Sequence, residues 1–380
     1  MTIKSREIGV GVLGYGMMGI AHSHGYQAVS MLYKAPVVPK LVAICGRTED
    51  KVLQAANRLG YKRFYRDWGA LIKDPEVEVV DNTLPPNYHY EPSIEAIENG
   101  KHIICEKPLA RSYEEALEMY RAAERSGVVH ATAFNYRWLP AVIKAKKMIE
   151  EGYIGKPMQF HGTYLQDYAL DPSDPLTWRF RREEAGYGAL GDLGSHILDL
   201  ARFLMGETKR VCAISRTFTQ ERPLPSESTD KGKVDVDDIS VALLDFENGA
   251  VGCIETSWSC SGRKNSLCFE VHGSEGAISF DLERLNELHV YDHEENSDNR
   301  GFKRIIVSGD VHPYYSFCWP LGELLGTGDL YTIEIAAFLE SASKNRHFVP
   351  SFYDGLMSCA IMDSIVKSAQ NGKWVEVRHQ

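Results

Sequence analysis

One glycine-rich turn constrains this chain more than any other feature. Glu7-Ile8-Gly9-Val10-Gly11-Val12-Leu13 is a short apolar strand. Gly14-Tyr15-Gly16-Met17-Met18-Gly19 follows at once and opens a helical pattern to about Leu32. The three glycines then have separate uses. Gly14 permits a tight turn, Gly16 lets the backbone approach a pyrophosphate, and Gly19 lets helix and strand pack closely. The free N–H groups and positive dipole end of the helix suit phosphate, with Tyr15, Met17 and Met18 on the same turn. A G-x-G-x-x-G string alone is weak evidence, and its bland reading is a tight strand–helix turn. The strand before it and the helix after it point instead to a dinucleotide site.

The rhythm continues. Leu41–Cys45 reads as a buried strand, Lys51–Leu59 as a helix, Glu78–Asp81 as a strand and Ser93–Asn99 as a helix closed by Gly100. Lys101–Glu106 is another strand. Ser112 caps a helix to Ser126, with Glu115 at the capping-box position and Gly127 past its end. Val128–Ala133 is a further strand. Alternation of this kind predicts an α/β fold with a doubly wound parallel sheet over residues 1–135.

At 380 residues the chain has room for two domains. Its 52 acidic residues outnumber 42 basic ones, which argues against a nucleic-acid or anionic-membrane partner. No apolar run is long enough to span a bilayer, and no apolar segment precedes the first strand, so a cytoplasmic protein is expected. The eight cysteines include no C-x-x-C pair. They read as reduced, mostly buried thiols, with no metal site.

Cofactor choice turns on the end of the second strand. NAD enzymes usually place an acidic residue there for the ribose hydroxyls. This chain has Cys45-Gly46-Arg47-Thr48, with Glu49 and Asp50 beyond. Arg47 can hold a 2′-phosphate, favouring NADP, or stack on adenine and leave NAD. Both stay open.

Two further motifs carry a resemblance. Ile104-Cys105-Glu106-Lys107-Pro108-Leu109-Ala110 ends one strand, and Gly191-Asp192-Leu193-Gly194-Ser195-His196-Ile197-Leu198-Asp199 lies further on. With Gly14–Gly19 they resemble the Gfo/Idh/MocA family, the glucose–fructose oxidoreductase and inositol dehydrogenase group, across essentially the whole chain. The resemblance implies a Rossmann domain followed by an α/β domain with a large, open, mixed sheet. It maps the catalytic set onto Lys107, Asp192 and His196. Leu84-Pro85-Pro86-Asn87-Tyr88-His89 is similar to the family's loop beneath the nicotinamide, and Asn135–Pro140, with Tyr136, to its domain-junction segment. Glu106 and Lys107 fall on its cofactor side. Tyr164–Tyr168 with Gln166, Trp178-Arg179, and His312-Pro313-Tyr314 with Trp319-Pro320 resemble the branch acting on intact pyranoses, that of the levoglucosan and glycoside 3-dehydrogenases. Gly322-Glu323 departs from that branch, which tends to carry Gly-His there.

The residue chemistry agrees with these roles. Asp192 and His196 are four apart, so a helix puts both on one face. A carboxylate beside an imidazole orients it and raises its proton affinity, which suits a general base taking a hydroxyl proton. A lysine at a strand's carboxyl end points into the ligand crevice of an α/β sheet, and its ammonium can stabilise a developing alkoxide. A positive nicotinamide nearby would lower the Lys107 pKa, so whether Lys107 or His196 is the base stays open. A cis bond before Pro108 would aim Lys107. The glycines around Asp192 cost helix stability and suggest close approach of cofactor and sugar. Trp178 and Arg179 follow an acidic, proline-broken loop that can border a sugar, or are a core Trp and a surface Arg. Tyr136 can extend a proton path or be a satisfied buried tyrosine. His22 and His24 make a poor metal pair on a helix and read as structural.

From about Met158 the pattern becomes alternating strands joined by hairpin signals, a largely antiparallel sheet within a second domain of 136–380. One face should take the helix bearing His196, and the other a second subunit, giving a homo-oligomer, dimer or tetramer. Gln220–Asp238 reads as a flexible loop, and Thr332–Ser343 and Tyr353–Gln370 as helices returning to the first domain. The expected function is an NAD- or NADP-dependent dehydrogenase oxidising a secondary hydroxyl of a pyranose, glycoside or cyclitol, plausibly at C3. The alternatives are redox-neutral glycoside cleavage through transient C3 oxidation, and a non-catalytic dinucleotide and sugar sensor.

Overall fold

The first strand, β1 (Arg6–Leu13), is buried from Ile8 onward, as a strand covered on both faces must be. The computed structural model describes residues 6–32, 37–225, 230–307 and 322–379, so the His312–Tyr314 and Trp319-Pro320 elements lie outside the described residues. After β1 come α1 (Met17–Leu32), β2 (Val37–Cys45), α2 (Glu49–Leu59), β3 (Arg63–Tyr65), α3 (Trp68–Ile72), β4 (Val79–Asn82), α4 (Tyr90–Glu98), β5 (His102–Cys105), α5 (Tyr113–Ser126) and β6 (His130–Thr132). The strands form one parallel sheet in the order β3-β2-β1-β4-β5-β6. This is the doubly wound order, and its switch point lies between β1 and β4. The Ser112 cap is present, its Oγ accepting Glu115 N–H, and Gly127 closes α5 in the left-handed region. The Glu115 carboxylate turns back to the Arg111 N–H, so the reciprocal half of the box is displaced by one residue. Two elements were not foreseen: β3 is too short to alternate visibly, and α3 is a single turn and a half capped by Asp67.

The next stretch holds α6 (Pro140–Glu150), β7 (Pro157–Leu165), α7 (Arg182–Ala185), α8 (Ser195–Met205) and β8 (Thr208–Arg216). A short antiparallel pair, β9 (Glu221–Pro223) and β10 (Lys231–Lys233), follows. Then come β11 (Ile239–Phe246), β12 (Val251–Ser257), β13 (Ser266–Gly273), β14 (Gly276–Asp281), β15 (Glu287–Asp292) and β16 (Lys303–Ile306). The chain ends with α9 (Thr327–Ser343), α10 (Phe352–Asn371) and β17 (Val375–Glu376). The second sheet has nine strands, β16-β15-β14-β13-β7-β12-β11-β8-β17, antiparallel except where β12 runs parallel to β7. β17 pairs with β8 at the edge.

The chain divides into two compact units, residues up to 138 with 325–356, and the remainder. Within the first, α9 packs on α1, and Gly25 permits the approach: a Cβ there would lie 2.6 Å from Ile335 Cδ1. Within the second, α8 covers one sheet face, where Gly162 makes room for Ile197. The opposite face leaves Ile214, Leu243 and Val251 about half exposed.

The polar stretch Gln220–Asp238 contains regular structure among its described residues. Strands β9 and β10 pair antiparallel within it, and Arg222 in β9 is fully buried. Arg222 donates to the carbonyls of Ala169 and Asp171, and its guanidinium lies 4.1 Å from the Phe180 ring centroid. The described cysteines are all free, but only Cys45, Cys105 and Cys359 are buried. Cys212, Cys253 and Cys268 are half-exposed because they fall on outward positions of the large sheet.

Candidate active site

In the first unit the glycine turn joins the C-terminal end of β1 to the N-terminus of α1. Gly14 has φ of 103°, which a side chain rarely tolerates, and its N–H bonds the Cys45 carbonyl at 3.0 Å. A Cβ on Gly19 would sit 2.3 Å from the Gly14 carbonyl oxygen, whereas one on Gly16 would meet nothing within 4 Å. Open space above Gly16 and tight packing behind Gly19 are what a bound pyrophosphate requires. The Tyr15 ring lies over Gly46, Met17 is exposed and Met18 half-buried. Arg47 is exposed just past β2. Leu84, Pro85 and Asn87 are half-buried on the turn after β4, and Asn87 Oδ1 is buried with no hydrogen-bond partner among the described residues. An orphaned acceptor here is available to a cofactor amide. The first unit therefore fits a dinucleotide.

The loops around that crevice are tied from below. The buried His89 ring faces two carbonyls, Nε2 to Leu84 at 2.7 Å and Nδ1 to Pro108 at 2.9 Å. Burial holds its pKa below the usual histidine value, outweighing the carbonyls. The Lys107–Pro108 bond is cis, as anticipated. Glu106 is buried. Its Oε2 accepts the Lys107 N–H at 2.9 Å, and its Oε1 lies 3.1 Å from His22 Nε2. Burial would raise the Glu106 pKa, but the adjacent His22 brings it below the usual range. Lys107 and Tyr136 are half-buried, Tyr136 on the 3-10 turn Asn135–Trp138.

In the second unit Asp192 lies in a π-helical turn, Leu190–Gly194, that leads directly into α8 and His196. Such turns concentrate at functional sites. Asp237 shapes this one, accepting the N–H groups of Gly188 and Leu190 at 2.9 Å each. Burial raises the Asp237 pKa despite these bonds. The glycines near Asp192 do not face open space. A Cβ on Gly188 would lie 2.0 Å from the Asp237 carbonyl oxygen, and one on Gly194 would press on Leu190 and Thr256. They serve packing of the π turn, which corrects the expectation of close approach by cofactor and sugar.

Tyr168 donates to Asp192 Oδ2 at 2.6 Å, and the Arg179 charge acts on the same hydroxyl. Burial, and then Asp192, push the Tyr168 hydroxyl well above its ordinary pKa, although 41% of the residue remains exposed at its edge. Arg179 lies 4.3 Å over the Trp178 ring, and both are half-buried. Gln166 bonds Asn265 at 2.7 Å, as does the Tyr164 hydroxyl at 2.8 Å. The Tyr164 ring stands 6.0 Å from that of buried His196. Thus Tyr168 contacts Asp192 directly, and Arg179 pairs with Trp178. Tyr164 and Tyr168 bound the segment that resembles the pyranose-acting branch, in which only Gln166 was named for the substrate, and Asp237 was not named at all, since nothing local marks what either tyrosine or the aspartate will bond.

Family models match both parts of the chain. Residues 8–134 match an oxidoreductase family with an NAD-binding Rossmann fold, and residues 142–279 match the GFO/IDH/MocA C-terminal domain. The chain belongs to the GFO/IDH/MocA family. Among its relatives, levoglucosan dehydrogenase of Pseudarthrobacter phenanthrenivorans is 44% identical over 98% of each chain. Myo-inositol 2-dehydrogenase of Thermotoga maritima is 29% identical over 77% of this chain and 80% of its own. A solved levoglucosan dehydrogenase in complex with NADH and levoglucosan superposes with a TM-score of 0.95 at 44% identity, covering 98% of this chain and all of its own. As a GFO/IDH/MocA protein, the chain is an oxidoreductase acting on CH–OH groups through an NAD-binding Rossmann domain. Among the described residues no group of three or more His, Cys, Asp or Glu side chains could hold a metal ion, and no helix is long and apolar enough to cross a membrane.

Proposed function

We propose that this chain oxidises a secondary ring hydroxyl of a pyranose sugar or cyclitol, C3 in a pyranose, with NAD as acceptor. The observation that carries the reading is full-length similarity to levoglucosan dehydrogenase, joined to the presence of Lys107, Asp192 and His196. Bound NAD supplies the hydride acceptor. The Lys107 ammonium bonds the substrate oxygen and stabilises charge as it develops there. His196 takes the hydroxyl proton, and Asp192 orients it. The Gly14–Gly19 turn, Arg47 and the Leu84–Asn87 turn hold the dinucleotide. Gln166, Trp178, Arg179 and Tyr136 border the sugar.

The test is NADH formation, read by absorbance, with levoglucosan, glucose, inositols and aryl glucosides, and with NAD against NADP. A sugar-dependent signal is expected, and Lys107→Ala should abolish it while NADH still binds. Bound cofactor without NADH formation on any of these substrates would overturn the reading.

We also infer that a second copy covers the exposed face of the large sheet. Val241 and Leu243 of β11 stand outward beside Ile214 and Cys212 of β8, an apolar patch no monomer surface needs. Light scattering should give a homo-oligomer, and Leu243→Lys should weaken it. A monomer at assay concentration would sink the inference.

A further inference from the structure

His22 is fully buried in α1, and both of its ring nitrogens face carboxylates. Nδ1 lies 2.8 Å from Asp81 Oδ2, in β4, and Nε2 lies 3.1 Å from Glu106 Oε1, just past β5. A neutral imidazole can donate only once, so a ring bonded to two carboxylates satisfies both only as imidazolium. Without that charge, two buried carboxylates would face each other unbalanced. The Lys107 charge also acts on Glu106, less than His22 does, and the other described groups around the ring are neutral or acidic. Tyr26 of α1 donates to the same Asp81 oxygen at 2.9 Å. From α9, the Tyr331 ring stands 5.5 Å away, and Glu334 adds negative potential to Tyr26 and Tyr331. Ser23 and Tyr61 pair with each other at 2.8 Å. Burial opposes the charge on His22, yet Asp81 and then Glu106 hold its pKa well above the usual value.

Glu106 uses its two oxygens in different directions. One meets His22, and the other takes the backbone N–H of Lys107 at 2.9 Å. We propose that His22 is a positioning residue, bridging Asp81 and Glu106 so that the Glu106–Lys107 turn is held in one place above the sheet. The bridge links three segments of the first unit: the helix that begins at the glycine turn, the end of β4 and the end of β5. This rests on the reading of Lys107 as a catalytic group. His22 itself touches neither substrate nor cofactor and acts through Glu106.

The variants are His22→Gln, Glu106→Gln and the pair together. Two readouts are taken: hydrogen exchange at the Lys107 amide, and turnover of levoglucosan with NAD. In His22→Gln, Lys107 amide protection and kcat should each fall by about tenfold with the sugar KM nearly unchanged, the effect expected for losing a charge-assisted bond. Adding Glu106→Gln removes one of the two unbalanced carboxylates, the one that holds the Lys107 N–H, and should restore part of the lost Lys107 amide protection. A purely structural role does not predict that a second substitution rescues the first. Folded His22→Gln with unchanged Lys107 exchange would overturn the proposal. Should His22→Gln not fold, the imidazole nitrogen spectrum of the wild type decides. Two protonated nitrogens on His22 at pH of about 8 support the bridge, and a single one overturns it. Absence of wild-type turnover would count against the dehydrogenase reading alone, because the exchange measurement does not depend on it.

Discussion

The Tyr168 hydroxyl donates a 2.6 Å hydrogen bond to Asp192, across 24 residues of sequence. One of the carboxylate's oxygens is therefore fixed by a phenol on which the Arg179 charge also acts, and Arg179 lies over Trp178. The loop carrying the aromatic and cationic residues is thus mechanically joined to the proposed orienting carboxylate. Tyr168 also stacks edge-on to Trp258, 5.9 Å away, which is fully buried and anchored to Asp238. The hydroxyl is placed from a rigid base.

Removing that hydroxyl should cost turnover more than binding. Tyr168→Phe keeps the ring on Trp258 and loses the bond to a charged acceptor, so kcat should fall roughly tenfold or more. NADH affinity should stay within about twofold, since the substitution leaves the residues of the dinucleotide turn unchanged. Steady-state kinetics beside NADH titration checks both. An unchanged kcat would mean Asp192 needs no help from Tyr168.

Arg222 should matter to stability although its hydrogen-bond acceptors among the described residues are all carbonyls. Arg222→Met leaves the carbonyls of Ala169 and Asp171 without their donor and removes the cation over Phe180. A loss of about 2 kcal/mol is expected in urea unfolding. The segment from Ala169 to Phe180 should become easier to cut by protease, and the sugar KM should rise. Stability equal to wild type would show that the clamp is redundant.

Arg47 should decide how much NADP is tolerated. It is exposed at the end of β2. Arg47→Ala should leave kcat/KM for NAD within about threefold and lower that for NADP by about tenfold or more, the difference of one charge-assisted phosphate contact. Equal loss with both cofactors would instead assign Arg47 to adenine stacking.

Stability should pass through a maximum near pH of about 6.5, the ordinary histidine value in the unfolded chain. Burial lowers the folded pKa of His89, His102 and His130. Below that pH the unfolded chain binds more protons than the folded one at these three sites, so stability falls as pH drops. His22 behaves oppositely, its folded pKa being raised by Asp81 and Glu106 against the effect of burial. Its contribution is complete below the unfolded value and is lost as pH rises through the folded one. Melting midpoints between pH of about 5 and 8 test this. His22→Gln should remove the fall on the alkaline side, and a profile it leaves unaltered would contradict the sign.

Much of the first unit was legible in the sequence because its signals are local. A strand, a glycine turn and a capped helix are each decided within a few residues, as Gly14, Gly19 and Ser112 show. The order of the motifs pointed to the family and to Lys107, Asp192 and His196 for the same reason. What only the tertiary structure decided is which distant side chains meet. His22 reaches Asp81 across 59 residues and Glu106 across 84, and Arg222 reaches Asp171 across 51. No periodicity encodes such pairs. They depend on how strands order within a sheet and how loops fold over its ends, and a buried charge must find its partner wherever the packing has put one.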